Sequence, residues 1–150
     1  MSKAGADLTI IDTPARLQDN VLEAANLADL VIVPSKATVK DIERVEASID
    51  LVRIKGDKPI LVVFNQVRPQ KIRSEEAEAF VRTKNYPVCP VRVGYRVAFE
   101  DSDRTGETPL ETEPSGKSAE EIRALFEFVK NMLTSENVEK STSGHEVANG

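Results

Sequence analysis

Residues 60–65 read Ile60-Leu61-Val62-Val63-Phe64-Asn65, five consecutive apolar side chains that stop at an amide. A strand with one wet face alternates apolar and polar residues. A strand apolar at every position has to be covered on both faces, as an inner strand of a parallel sheet is. Two other runs share this character, Leu8–Ile11 and Leu30–Val33. A fourth, Val88–Val93, is β-branched but interrupted by Pro90, which suits a shorter strand or a sheet edge.

Helical patterns fill the intervals. Val21, Leu22, Ala25 and Ala28 make one apolar stripe, and Ile42, Val45, Ile49 and Val52 make a cleaner one, spaced by three, four and three residues. Thr38 with Asp41 forms a capping box at the start of the second, and Gly56 supplies its stop. A third helix is expected after Ser74, with Glu75 and Glu76 near the positive end of its dipole. A fourth is expected over Ala119 to Leu133, capped by Ser118 and Glu121, with Ile122, Leu125, Phe126, Val129 and Leu133 as its stripe. Strands alternating with helices predict right-handed βαβ units and hence an α/β protein, a three-layer αβα sandwich with a mostly parallel sheet. Residues 1–133 form the expected domain. Residues 134–150 carry Ser, Thr, Glu, Asn and Gly with almost nothing to bury, and are expected to be a disordered tail.

One hundred and fifty residues suffice for one such core. Aromatics are 5% with no Trp, so Val, Ile, Leu and Ala must build it. The net charge of −5 argues against a surface that is basic all over, though not against a local basic patch. A single cysteine, Cys89, can form no intramolecular disulfide and matches no zinc spacing. No run reaches the ~18 apolar residues of a membrane span, and Met1 to Asp7 lacks the apolar stretch of a secretion signal. A cytoplasmic protein is expected.

The chemistry-bearing stretch is Leu8-Thr9-Ile10-Ile11-Asp12-Thr13-Pro14, an apolar run closed by a carboxylate, a hydroxyl and a proline. Ligands of open α/β sheets bind beyond the carboxyl ends of the strands. An acid placed there can hold Mg²⁺ through water beside nucleotide phosphates. Alternatively, Asp12 simply ends a strand in a turn.

The run Asp7 to Pro14 resembles the Walker B segment of ParA/MinD-type partition ATPases. Ala28-Asp29-Leu30-Val31-Ile32-Val33-Pro34-Ser35 resembles the strand that follows it there, and Thr38 to Leu51 the next helix. Ile60 to Val67 resembles the family's next strand. Arg96 to Asp101 and Gly116 to Arg123 are similar to its last loop and closing helix. The order and spacing are those of plasmid-type members, over residues 7–133. The resemblance implies an incomplete P-loop NTPase-like fold and a role in plasmid or chromosome segregation, with ATP and Mg²⁺ as ligands. It assigns Asp12 to the metal side through water, Thr13 and Pro14 to the neighbouring switch, and Asn65 to the adenine edge, where an amide both donates and accepts. Gly94, in Val93-Gly94-Tyr95-Arg96, would border the base, although many relatives have proline there. Implied partners are a second copy or a full-length ParA-type ATPase, and a ParB-type DNA-binding activator. Non-specific DNA is another, with Arg92 and Arg96 as candidate phosphate contacts and a nucleoid-associated location.

The glycine-rich loop of that family, with its lysine and hydroxyl, is not found in these residues. Gly116-Lys117-Ser118 imitates its end, but Glu111 stands where the first glycine belongs, and Glu113 and Pro114 intervene. Two carboxylates repel phosphate and proline removes a donor. Phosphoryl transfer rests on positioning and charge neutralisation, so little or no ATP hydrolysis by the chain alone is expected. In the family the loop-bearing strand lies between the Leu8–Ile11 and Leu30–Val33 strands. Its absence would leave a gap to be closed or filled. The alternative is a non-catalytic module that pairs with an intact ParA-type ATPase or its activator. A receiver-like domain, with Asp12 phosphorylated and Ser35 and Lys36 as switch residues, lacks the companion acids that fold needs. Arg68, Lys71 and Arg73 make a small basic cluster. Cys89 reads as a core residue, and His145 in the tail has no assigned role.

Overall fold

A computed structural model describes residues 8–14, 18–54, 56, 58–68, 76, 79–84 and 86–143. Its elements are α1 (Gln18–Leu27), β1 (Val31–Ser35), α2 (Val39–Arg53), β2 (Ile60–Phe64), a helical stretch including residues 79–83 (α3), α4 (Val97–Thr105), α5 (Pro109–Thr112) and α6 (Lys117–Ser143). The protein is mixed α/β with a small parallel sheet.

All five residues of β2 are buried, as its unbroken apolar run requires. β1 lies parallel to it, with Val31 opposite Ile60 and Ser35 opposite Phe64. On the other side of β2, the chain from Val88 to Gly94 also runs parallel, through bridges from Val62 to Val88 and from Val67 to Gly94. Between those bridges it takes six residue steps against five on the β2 side. That extra residue, in the stretch holding Pro90, prevents a continuous ladder and explains why the fourth β-branched run is only a broken strand.

Side chains of β2 alternate between two apolar clusters. Ile60, Val62 and Phe64 pack with Ile42, Val45, Ile49 and Val52 of α2, together with Ala25 of α1 and Val81 of α3. Leu61 and Val63 pack with Cys89 and with Val129, Leu125 and Met132 of α6. The three-four-three spacing in α2 thus becomes a buried face, each member under 4% exposed. Thr38 caps this helix, but the expected capping box is only half formed, since the Thr38 N–H donates to Lys36 O at 2.9 Å instead of to Asp41. The Thr38 hydroxyl accepts from the Asp41 N–H at 3.3 Å and donates to the Asp41 carboxylate at 2.5 Å. Gly56 follows with φ +124°, a conformation that other residues rarely adopt.

Four other expectations need revision. Leu8–Ile11 forms no strand: residues 8–14 have no regular structure, and Ile10 is 84% exposed. Apolar content alone does not make a strand, because a strand needs a partner for its backbone groups. Arg96–Asp101, expected as a loop, is the start of α4. Ala98 to Asp103 contains no helix breaker, and Gly106 at φ +77° supplies the stop. The expected Ser118–Glu121 capping box is not formed. Ser118 is buried inside the first turn, the Glu120 N–H donates to Gly116 O at 3.1 Å, and Glu121 bonds elsewhere. α6 also runs past Leu133 to Ser143, since no Gly or Pro interrupts the sequence before Gly144. Ser74, Lys71, Arg73, His145 and residues 1–7 and 144–150 lie outside the described residues.

Candidate functional site

Both strands end at one rim. The Asn65 N–H donates to Ser35 O at 2.8 Å, continuing the ladder one residue beyond β2. The Asn65 side-chain Oδ1 then accepts from the Gln66 N–H at 2.7 Å. Gln66 sits at φ +54°, the only non-glycine residue with positive φ among those described. A left-handed residue without the freedom of glycine costs about 1 kcal/mol. Beyond it the Val67 N–H returns to Val93 O at 3.0 Å, which fixes the turn.

A cleft of about 270 Å³ opens at this rim. Ser35, Lys36, Asn65 and Gln66 line it from the strand ends, and Asp41, Arg44 and Ser48 from α2. Ser35 is buried and donates to Lys36 O at 3.0 Å. Arg44 Nη1 donates to Asp41 Oδ1 at 3.3 Å. Lys36 is exposed, and its ammonium has no partner among the described residues. The position agrees with the general preference of α/β sheets for ligands beyond strand carboxyl ends. Among the nucleotide- and metal-site residues anticipated from sequence, Asn65 lines this cleft. Asp12 and Pro14 are exposed, Thr13 is half-buried, and none of the three lines it. Among the described residues no three His, Cys, Asp or Glu side chains gather to hold a metal.

Gly94 belongs to a second constellation. Its N–H donates to Glu121 Oε2 at 3.0 Å, while Arg96 reaches the same carboxylate through Nε at 3.1 Å and Nη2 at 2.5 Å. A Cβ on Gly94 would come within 3.1 Å of the Arg96 guanidinium, so glycine gives the arginine its room. Burial disfavours the charge on Glu121. The hydrogen bonds from Arg96 and Gly94 outweigh it and hold the carboxyl below its usual range. The same bond to Glu121 raises Arg96. Arg96, a candidate DNA contact by resemblance, is therefore engaged within the fold, and Arg92 is half-buried with an interaction of its own. Tyr95 beside them is 46% exposed, donates its hydroxyl to Glu100, and lies under the Arg68 guanidinium at 5.1 Å. That hydrogen bond to Glu100 raises the phenol.

No protein-family model matches the chain, and no curated protein matches it. No helix among the described residues is long and apolar enough to cross a membrane.

Sequence reasoning missed two anchoring residues. Glu121 was read as a helix cap, yet it ties the start of α6 to the turn at Gly94; a pair 25 residues apart leaves no periodic trace. Lys58 donates through Nζ to Asn26 O and Ala28 O, both at 3.1 Å, and so caps the carboxyl end of α1 from a distance. A smaller signal was legible. Thr108-Pro109-Leu110-Glu111 has capping-box spacing, and the Glu111 carboxylate accepts from both the Thr108 N–H and hydroxyl at 2.8 Å.

Proposed function

We propose that residues 7–133 are part of a ParA/MinD-type partition ATPase domain, a three-layer P-loop NTPase-like sandwich, and serve plasmid or chromosome segregation in the cytoplasm. The observation that supports this best is Asn65. It stands at the carboxyl end of the inner parallel strand and lines a cleft. Its Oδ1 is held by Gln66, so its Nδ2 is left to donate to a ring nitrogen of a purine. Asp12 takes the Mg²⁺-side role and Gly94 the border of the base by resemblance alone, since neither lines the cleft that Asn65 lines. These 150 residues contain no glycine-rich phosphate loop with its lysine. Tight nucleotide binding and hydrolysis therefore need a loop supplied from outside them.

The test is an NMR titration with adenosine, with guanosine alongside. Adenosine is expected to shift the Asn65 and Gln66 amides with a dissociation constant near ~1 mM, about −4 kcal/mol. Guanosine is not expected to reproduce those shifts, and Asn65→Ala should abolish them. Equal shifts from both nucleosides, or none from adenosine, would remove the support that Asn65 gives.

The open side of the sheet favours a second reading, an interaction module that pairs with an intact ParA-type ATPase. Among the described residues β1 is bonded to β2 alone, and Ile32 on it is 43% exposed. Co-purification with a full-length relative would support that reading, and a clean monomer in its presence would count against it.

A further inference from the structure

The cleft at the rim has an unbalanced set of polar groups. Of the residues that line it, Lys36, Arg44, Asn65 and Gln66 carry side-chain N–H donors, and the hydroxyls of Ser35 and Ser48 are spent on backbone carbonyls. Its one carboxylate is Asp41, and both oxygens of that group are engaged, Oδ2 by the Thr38 hydroxyl and Oδ1 by Arg44. Lys36 has no counter-ion among the described residues, and Arg44 spends one nitrogen on Asp41 at the long distance of 3.3 Å. The remaining fork of a guanidinium presents parallel donors that match two oxygens of one anion. An ammonium and an amide close by add donors without fixed direction. Donors in excess, two cations and a concave floor at strand carboxyl ends are what an oxyanion with several acceptor oxygens requires.

We propose that this cleft binds a phosphate or pyrophosphate group, with Lys36 and Arg44 as its charged contacts. Asp41 opposes the anion and limits its affinity by holding Arg44 back. The proposal does not depend on the partition-ATPase reading. Adenosine, which carries no charge, tests Asn65 against a base, whereas inorganic pyrophosphate tests the two cations.

The experiment is an NMR titration of the full chain with inorganic pyrophosphate, with succinate as a comparison dianion at the same ionic strength. Pyrophosphate is expected to shift amides at residues 35–36, 41–48 and 65–66 in the millimolar range. Lys36→Ala and Arg44→Ala should each weaken binding about threefold to fivefold, the size of an exposed ion-pair contribution. Asp41→Asn keeps an oxygen for Thr38 but releases Arg44, and should tighten binding by about threefold. Removing a carboxylate also attracts any anion more strongly, so succinate is titrated into this variant too and should gain less than pyrophosphate. The proposal is overturned if shifts are absent, if they are indifferent to Lys36 and Arg44, or if succinate binds as well as pyrophosphate. Lys36 and Arg44 are exposed, so their alanine variants leave the core untouched and a null result cannot be assigned to misfolding.

Discussion

Glu121 is the residue whose loss should be felt furthest from its place in the chain. Removing its side chain strands the Gly94 N–H and the Arg96 guanidinium together. Hydrogen bonds to charged, partly buried groups contribute roughly 1–3 kcal/mol, so Glu121→Ala should lower unfolding free energy by about that much in urea titration. The pH dependence has a definite sign. The carboxyl is held below its unfolded value of about 4.3, so its contribution is complete above that pH. It is lost as pH falls through the lower folded value. Glu121→Gln, which does not titrate, should therefore lose less stability between about pH 5 and pH 3 than the parent does. Gly106 offers a simpler check. It holds φ +77° with open space around it, so Gly106→Ala should cost about 1 kcal/mol from backbone strain alone. Neither residue role was fully legible beforehand. Gly106 follows a helix where the sequence suggests a loop, and Glu121 meets its partner only through the tertiary fold.

Among the elements, β2 and α2 were the most legible, because burial on both faces of one and on one face of the other leaves a period in the sequence. Their substitutions should be the costliest. Phe64→Ala is expected to destabilise by about 3–5 kcal/mol, while Ile32→Ala on the exposed face of β1 should change stability by under about 0.5 kcal/mol; paired thermal melts distinguish them. Thr38→Ala, at the cap of α2, should cost about 1 kcal/mol. Composition misled at Leu8–Ile11 for a physical reason. β-Branched residues describe a surface that fits a sheet, but only a neighbouring strand can pair with its amides. The length of α6 was missed for the opposite reason. Polar helix formers continue a helix already begun, and past Leu133 the sequence offers neither a stop nor an apolar stripe to reveal it.

For the molecule as a whole, the sheet is asymmetric. Val31 donates to Pro59 O and Asn65 to Ser35 O, so the odd-numbered backbone groups of β1 turn toward β2. The amide of Ile32 and the carbonyl of Pro34 then face the edge that is unpaired among the described residues, where proline's missing N–H costs no ladder bond. Hydrogen exchange should show this directly. The Ile32 amide is expected to exchange far faster than Val31 and Val33 on either side, and the β2 amides slowest of all. Uniform protection along β1 would mean that its outer edge is paired. The overall α/β class with parallel strands could be anticipated from the chain, and a gap beside the Leu30–Val33 strand was implied by the resemblance; which segments meet on the other side of β2 was not.

The corner between α1 and β1 is fastened from downstream. Lys58 holds the last carbonyls of α1, and the adjoining Pro59 carbonyl receives the first amide of β1. Both ends of that turn thus wait for residues about thirty positions later in the chain. During synthesis on a ribosome, residues 18–35 would leave the tunnel with their helix frayed and their strand unmatched. They would settle only when residue 59 arrives, so the order of emergence and the order of consolidation run in opposite directions.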